Sequence, residues 1–158
     1  MAEPAAGERA DPAAPLLIRV YWEDTDGGGI VYHANYLAYA ERARTEMLRA
    51  LGFAQGRLIE ETGVAFVVRR LDIDYRAPAR LDDLLAVSTT VEEAGRASLR
   101  LRQKIERDGR EIAILNVHLA CVDRRGRPIR VPPAIREAFA AVRPAASAED
   151  RGQAVRPH

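Results

Sequence analysis

VYHANYLAYAERARTEMLRALG, residues Val31 to Gly52, has helical spacing over most of its length. Tyr36, Ala40, Ala43, Met47 and Leu51 recur every three or four residues, and Leu37 and Leu48 widen the same apolar stripe. Gly52 can adopt the left-handed backbone that ends a helix. Upstream, Leu16 to Trp22 reads as a strand. Downstream the pattern changes to strands: Val67 to Tyr75, where Leu71, Ile73 and Tyr75 alternate with charged residues, then Leu84 to Val91. A strand carrying Leu99, Leu101 and Ile105 in one phase follows, and then Glu111 to Val122, apolar in both phases as suits a strand covered on two sides. Asp108-Gly109 predicts a hairpin between the last two. Arg57 to Gly63 allows a short second helix, and Pro132-Pro133 precedes another around Ala134 to Ala141. One long helix followed by sheet-forming segments predicts an α+β fold, a curved antiparallel sheet wrapped around that helix. Repeated strand–helix alternation is missing, which argues against a doubly wound dinucleotide-binding fold.

A chain of 158 residues suits one domain. We expect a flexible arm over residues 1–15, a folded unit over 16–142 and a flexible tail over 143–158 that ends at His158. The composition is 47% hydrophobic and 30% charged, with a net charge of only +1, so no broad basic face for nucleic acid is predicted. The start lacks the pattern of a secretory signal, and no apolar run approaches the roughly 20 residues that span a bilayer, which leads us to expect a cytoplasmic protein. Cys121 is the single cysteine, and its apolar setting predicts a core or interface residue. With three histidines and one cysteine no zinc-like set is visible, and His118 reads as a buried, hydrogen-bonded side chain.

The segment Tyr21-Trp22-Glu23-Asp24-Thr25-Asp26-Gly27-Gly28-Gly29-Ile30-Val31-Tyr32-His33 joins the first strand to the helix. Asp26 is the principal candidate catalytic group: a carboxylate can activate water or attack an acyl carbon directly. It can equally cap the helix or organise the glycine turn, and these roles are compatible. Asp24 reads as a loop organiser and Thr25 as a local hydrogen-bonding residue. The glycines remove side chains that would obstruct a ligand. His33 offers a backbone N–H near the helix start and an imidazole near Asp26, and Tyr32 can form an aromatic wall. Amide donors at a helix start can stabilise charge on a carbonyl oxygen. Glu41, Arg44 and Glu46 have ordinary surface-helix explanations.

These residues, with Asn35-Tyr36 and Glu41-Arg42-Ala43-Arg44-Thr45-Glu46-Met47-Leu48, resemble the hotdog-fold acyl-CoA thioesterases, particularly the Tol–Pal-associated group related to 4-hydroxybenzoyl-CoA thioesterases. The resemblance implies that Asp26 is the catalytic acid and that the His33 N–H polarises the thioester carbonyl. It makes the His33 side chain a secondary candidate and Gly29 the glycine that keeps the loop close to the substrate; from the residues themselves, Gly28 and Tyr32 join Gly29 as candidate substrate-positioning residues. Gly27 stands where related chains commonly carry Ala or Pro. The family pairs two chains into a continuous sheet with sites at their interface, which implies a homodimer or homotetramer. Acyl-CoA and water are then the substrates, with an acyl carrier protein as a further candidate partner and no separate cofactor or metal. Arg124, Arg125, Arg127 and Arg130 are candidates for the phosphate end of coenzyme A, although a solvated basic turn explains them as well. A dehydratase and a non-catalytic thioester-binding or envelope-associated protein are the competing readings.

Overall fold

A computed structural model describes residues 10–144. The chain runs β1 (Leu16–Arg19), α1 (Asn35–Ala50), α2 (Gln55–Thr62), β2 (Ala65–Tyr75), β3 (Leu84–Ala94), β4 (Ser98–Arg107), β5 (Arg110–Val122) and α3 (Pro133–Val142). The strands form one antiparallel sheet in the order β1-β3-β4-β5-β2, curved around α1. This is the hotdog arrangement expected from the sequence.

The core lies where α1 meets the sheet. Tyr36, Ala40, Ala43, Met47 and Leu48 are buried from the helix side, and Leu85, Val87, Leu101, Ile105 and Val117 from the strands. Leu37, expected in the apolar stripe, is exposed. Gly52 takes φ +96°, and the Phe53 N–H bonds the Leu48 carbonyl across it, closing the helix as its position predicted. Asp108 and Gly109 both have positive φ, the geometry of a two-residue hairpin turn. β5 is central, between β4 and β2. Its second phase is less apolar than expected: Ile112 and Ile114 are buried, but Asn116 and His118 are only half-buried.

Two boundaries differ from the sequence reading, for one reason. The first strand ends at Arg19 rather than Trp22, because Trp22–Asp24 turns into a single 3-10 turn with Trp22 in solvent. The helix starts at Asn35 rather than Val31, because the preceding backbone is committed elsewhere. The Val31 N–H bonds the Ala79 carbonyl (2.8 Å), and the Tyr32 N–H bonds the Asp24 carbonyl (2.9 Å). Long-range partners have claimed groups that helical periodicity alone would assign to α1.

Arg44, expected on the helix surface, is buried at 7% exposure. Its guanidinium donates to Gln103 Oε1 (2.9 Å) and pairs with Glu41. Gln103, fully buried on β4, donates from Nε2 to the Ala40 carbonyl and to Thr89 Oγ1, both at 2.9 Å. This polar cluster fastens α1 to β3 and β4 inside the apolar core. Where β3 begins and β4 ends, burial pushes the Asp83 carboxyl up. The Arg80 N–H and the Arg107 guanidinium more than offset that push and hold it below the ordinary carboxylate value.

Of the expected arm, residues 11–15 lie against α1 and β3. There the Ala13 N–H bonds Asp11 Oδ1 (2.8 Å). Residues 1–9 and 145–158, His158 included, fall outside the described part.

Candidate active site

Asp24 and Asp26 divide the work of the loop between β1 and α1. Asp24 is buried. Its Oδ2 accepts the Tyr21 N–H (2.8 Å), its Oδ1 accepts the Asn35 side-chain amide (3.1 Å), and its carbonyl accepts the Tyr32 N–H. It is the loop organiser that its position suggested. Burial, and then the nearby Asp24 carboxylate, push the Tyr39 phenol well above its usual range, so this hydroxyl stays neutral. Thr25 Oγ1 donates to the Trp22 carbonyl (2.8 Å), the local bond expected of it.

Asp26 is exposed. Its Oδ1 accepts the Gly28 N–H (2.7 Å), while Oδ2 has no partner among the described residues. The Asp26 N–H bonds the Ile30 carbonyl, and its own carbonyl accepts the Gly29 N–H. Asp26 therefore organises the glycine turn, as one reading allowed, and leaves one carboxylate oxygen open. It does not cap α1: the cap is Ala34, which supplies no side-chain acceptor. A Cβ on Gly28 would stand 3.1 Å from Asp26 Oδ1, and Gly29 has φ +77°, so both positions favour glycine.

His33 lies just ahead of the cap, slightly earlier than a first-turn residue. Its carbonyl is held by the Tyr75 hydroxyl (2.8 Å), which ties it to the end of β2. Its N–H meets no backbone acceptor among the described residues. The imidazole is exposed, with its ring centroid 4.5 Å from that of Tyr32. Across from the loop, the Tyr36 hydroxyl accepts the Ala79 N–H (3.0 Å), and Ile30 bridges Arg80. The turn carrying Asp26 and His33 is thus fastened on several sides.

The arginine candidates do not join this group. Arg124 donates to the Glu60 carbonyl (2.9 Å), Arg127 pairs with Asp123 (3.0 Å), and Gly126 makes the turn with φ +76°. Arg125 and Arg130 are exposed. All four follow the end of β5 that pairs with the start of β2, whereas Asp26 and His33 lie beside the far end of β2. At about 3.3 Å per residue the strands separate the two groups by roughly 30 Å within one chain. Sequence reading missed Arg96 and Arg136, which border an open cavity of about 860 Å³ together with Arg130. No local spacing connects those three residues.

Cys121 is buried, and burial pushes its thiol up, as suits a core residue. His118 lies in register between Arg70 and Arg100, half-buried, and its imidazole makes no hydrogen bond among the described residues, unlike the buried, bonded side chain expected from sequence. No set of three or more His, Cys, Asp or Glu side chains among the described residues is arranged to hold a metal ion.

Residues 20–139 match the family model described as the thioesterase-like superfamily. The chain belongs to that superfamily. It is 48% identical over 123 residues to the acyl-CoA thioesterase YbgC of Haemophilus influenzae, a match covering 77% of this chain and 90% of that one. It is also 48% identical over 119 residues to the acyl-CoA thioester hydrolase YbgC of Escherichia coli O157:H7, covering 73% and 84%. Among solved structures, a probable thioesterase from Bartonella henselae superposes with a TM-score of 0.72 at 35% identity, over 75% of this chain and 98% of that one. A gentisyl-coenzyme A thioesterase superposes with a TM-score of 0.74 at 26% identity, over 79% and 98%. Relationship to acyl-CoA thioesterases is therefore established at the level of the family. Among the described residues no helix is long and apolar enough to cross a membrane.

Proposed function

We propose that this protein hydrolyses acyl-CoA to a carboxylic acid and free coenzyme A, with Asp26 as the reacting carboxylate and the His33 N–H as the carbonyl donor. The observation that carries this reading is that one fastened loop holds both an open Asp26 oxygen and a His33 N–H without an acceptor among the described residues. Asp26 either attacks the thioester carbon, giving a mixed anhydride that water cleaves, or removes a proton from the water that attacks. On both routes negative charge develops on the thioester oxygen, where the His33 N–H stabilises it. The carbon–sulfur bond then breaks and the thiolate takes a proton. The exposed His33 imidazole is the nearby side chain suited to deliver it, and Gly28, Gly29 and Tyr32 border the approach.

The roughly 30 Å separation supports a site shared by two copies. β2 is an edge strand with Val67 and Val68 exposed at 44% and 47%. An unpaired apolar edge favours pairing with another strand. Antiparallel pairing of two β2 edges sets the arginine end of one copy beside the Asp26 end of the other. Arg96, Arg130 and Arg136 then suit the phosphates of the bound coenzyme A better than Arg124 and Arg127, which are already engaged. Sedimentation of the intact protein should give at least a dimer; an active monomer would exclude the shared site.

The direct test is release of free thiol from acetyl-, hexanoyl-, dodecanoyl- and benzoyl-CoA. We expect turnover of at least one donor at a rate proportional to enzyme. Saturable binding of all four with no thiol released would replace the hydrolase with a thioester-binding protein.

A further inference from the structure

Asn35, the first residue of α1, bonds to both branches of the loop that carries the candidate groups. The branches run side by side: Thr25 bridges Val31, the Asp26 N–H bonds the Ile30 carbonyl, and the Tyr32 N–H bonds the Asp24 carbonyl. Asp26 sits on the outgoing branch, and His33 follows the end of the returning one. Past the last of these bonds, the half-buried Asn35 side chain closes the gap between α1 and the loop. Its Nδ2 donates to the Asp24 carbonyl (3.2 Å) and to Asp24 Oδ1 (3.1 Å). The Asn35 backbone N–H donates to the Tyr32 carbonyl (2.9 Å).

We infer that Asn35 is a positioning residue, which aims the His33 N–H at the thioester oxygen and fixes that donor relative to Asp26. The inference rests on the thioesterase reading above. The Tyr32 carbonyl and the His33 N–H belong to one peptide unit, which is planar and trans, so the two groups point in opposite directions. The Tyr32 oxygen is held against the first turn of α1, and the His33 N–H is therefore turned outward, away from the helix. The side chain adds the second constraint. It ties the residue that holds this peptide to Asp24, two positions before Asp26, so that the carboxylate and the donor are held in one piece. A donor stabilises developing charge most when its direction is set in advance. Alanine at position 35 keeps the backbone bond and loses the tie, leaving the peptide free to pivot. Alanine also has the higher helix propensity, so α1 itself is not weakened by the change. A residue that served the fold alone would alter stability when replaced, but not the polarisation of a bound carbonyl.

The test compares Asn35→Ala with its parent by kinetics and by infrared spectroscopy, using hexanoyl-CoA and benzoyl-CoA. In the otherwise wild-type protein kcat should fall by about 10–100-fold, less than the loss of a donor outright, while the dissociation constant stays within about threefold. For the spectra the two thioesters carry ¹³C at the carbonyl and are bound to Asp26→Asn protein, which keeps them intact. Their C=O stretch should lie below that of the free thioester, and adding Asn35→Ala should return it most of the way. Asn35→Ser, whose hydroxyl is too short to reach Asp24, should do the same and decides the matter should the alanine variant not fold. A lowered stretch that neither folded variant changes would overturn the positioning role and leave the His33 donor standing. No lowering in the parent would overturn the donor and its positioning together. If no acyl-CoA is hydrolysed, the hydrolase reading fails, while the spectrum of the bound thioester still decides what Asn35 does.

Discussion

Asp26→Asn should lower kcat by about 10²–10⁴-fold while leaving the fold and the affinity for acyl-CoA close to those of the wild type. The replacement is nearly isosteric. The amide oxygen can still accept the Gly28 N–H that now bonds Oδ1, so the turn keeps its geometry. What is lost is the negative charge on the open oxygen, and with it both nucleophile and base. Thiol release measures the first expectation, and calorimetry with an intact acyl-CoA measures the second. Turnover within a few-fold of the wild type in a folded Asp26→Asn protein would remove this residue from the chemistry. Label found in the Asp26 side chain after a single turnover in ¹⁸O-water marks the anhydride, because directly activated water places label only in the released acid.

The second large effect is on stability. Gln103→Leu should destabilise the protein by about 3 kcal/mol or more, because it leaves a buried guanidinium short of an acceptor and removes the side-chain link from β4 to the Ala40 carbonyl and Thr89. The amide orientation of Gln103 follows from its neighbours: the Ala40 carbonyl can only accept, and the Arg44 guanidinium can only donate. Gln103→Leu with Arg44→Met removes both polar partners together and should recover most of the loss, as buried pairs replaced by apolar groups commonly do. Urea unfolding with unchanged m-values provides the measurement. A loss below about 1 kcal/mol for the single variant would mean that water reaches Arg44 and that the cluster is not sealed.

The elements that sequence predicted well are those whose signal is local. The stripe on α1, the Gly52 stop, the Asp108-Gly109 turn and the alternation along β4 each depend on residues within a few positions of one another, and each is present. The errors occur where distant partners decide. Val31 and Tyr32 have helical neighbours, yet their N–H groups bond Ala79 and Asp24, so the helix begins later. Arg44 looks like a surface residue because its acceptor lies 59 positions away on β4. Leu37 satisfies the apolar periodicity and still faces solvent. The candidate site divides in the same way. Asp24 and Asp26 share a short loop and both are acids; only the burial of one and the exposure of the other separate an organiser from the proposed reactive group. The arginines could be found as a cluster, but their distance from Asp26 depends on strand direction, which a basic turn does not encode.

The bond from the Tyr75 hydroxyl to the His33 carbonyl anchors the peptide that carries the proposed oxyanion donor to the rim of the sheet. Whatever steadies that rim steadies the donor, and whatever frays it lets the donor drift from the reacting oxygen. Occupation of the rim by a second copy would therefore act on turnover as well as on shape. Specific activity should then decline on dilution before any loss of helix or sheet content becomes visible.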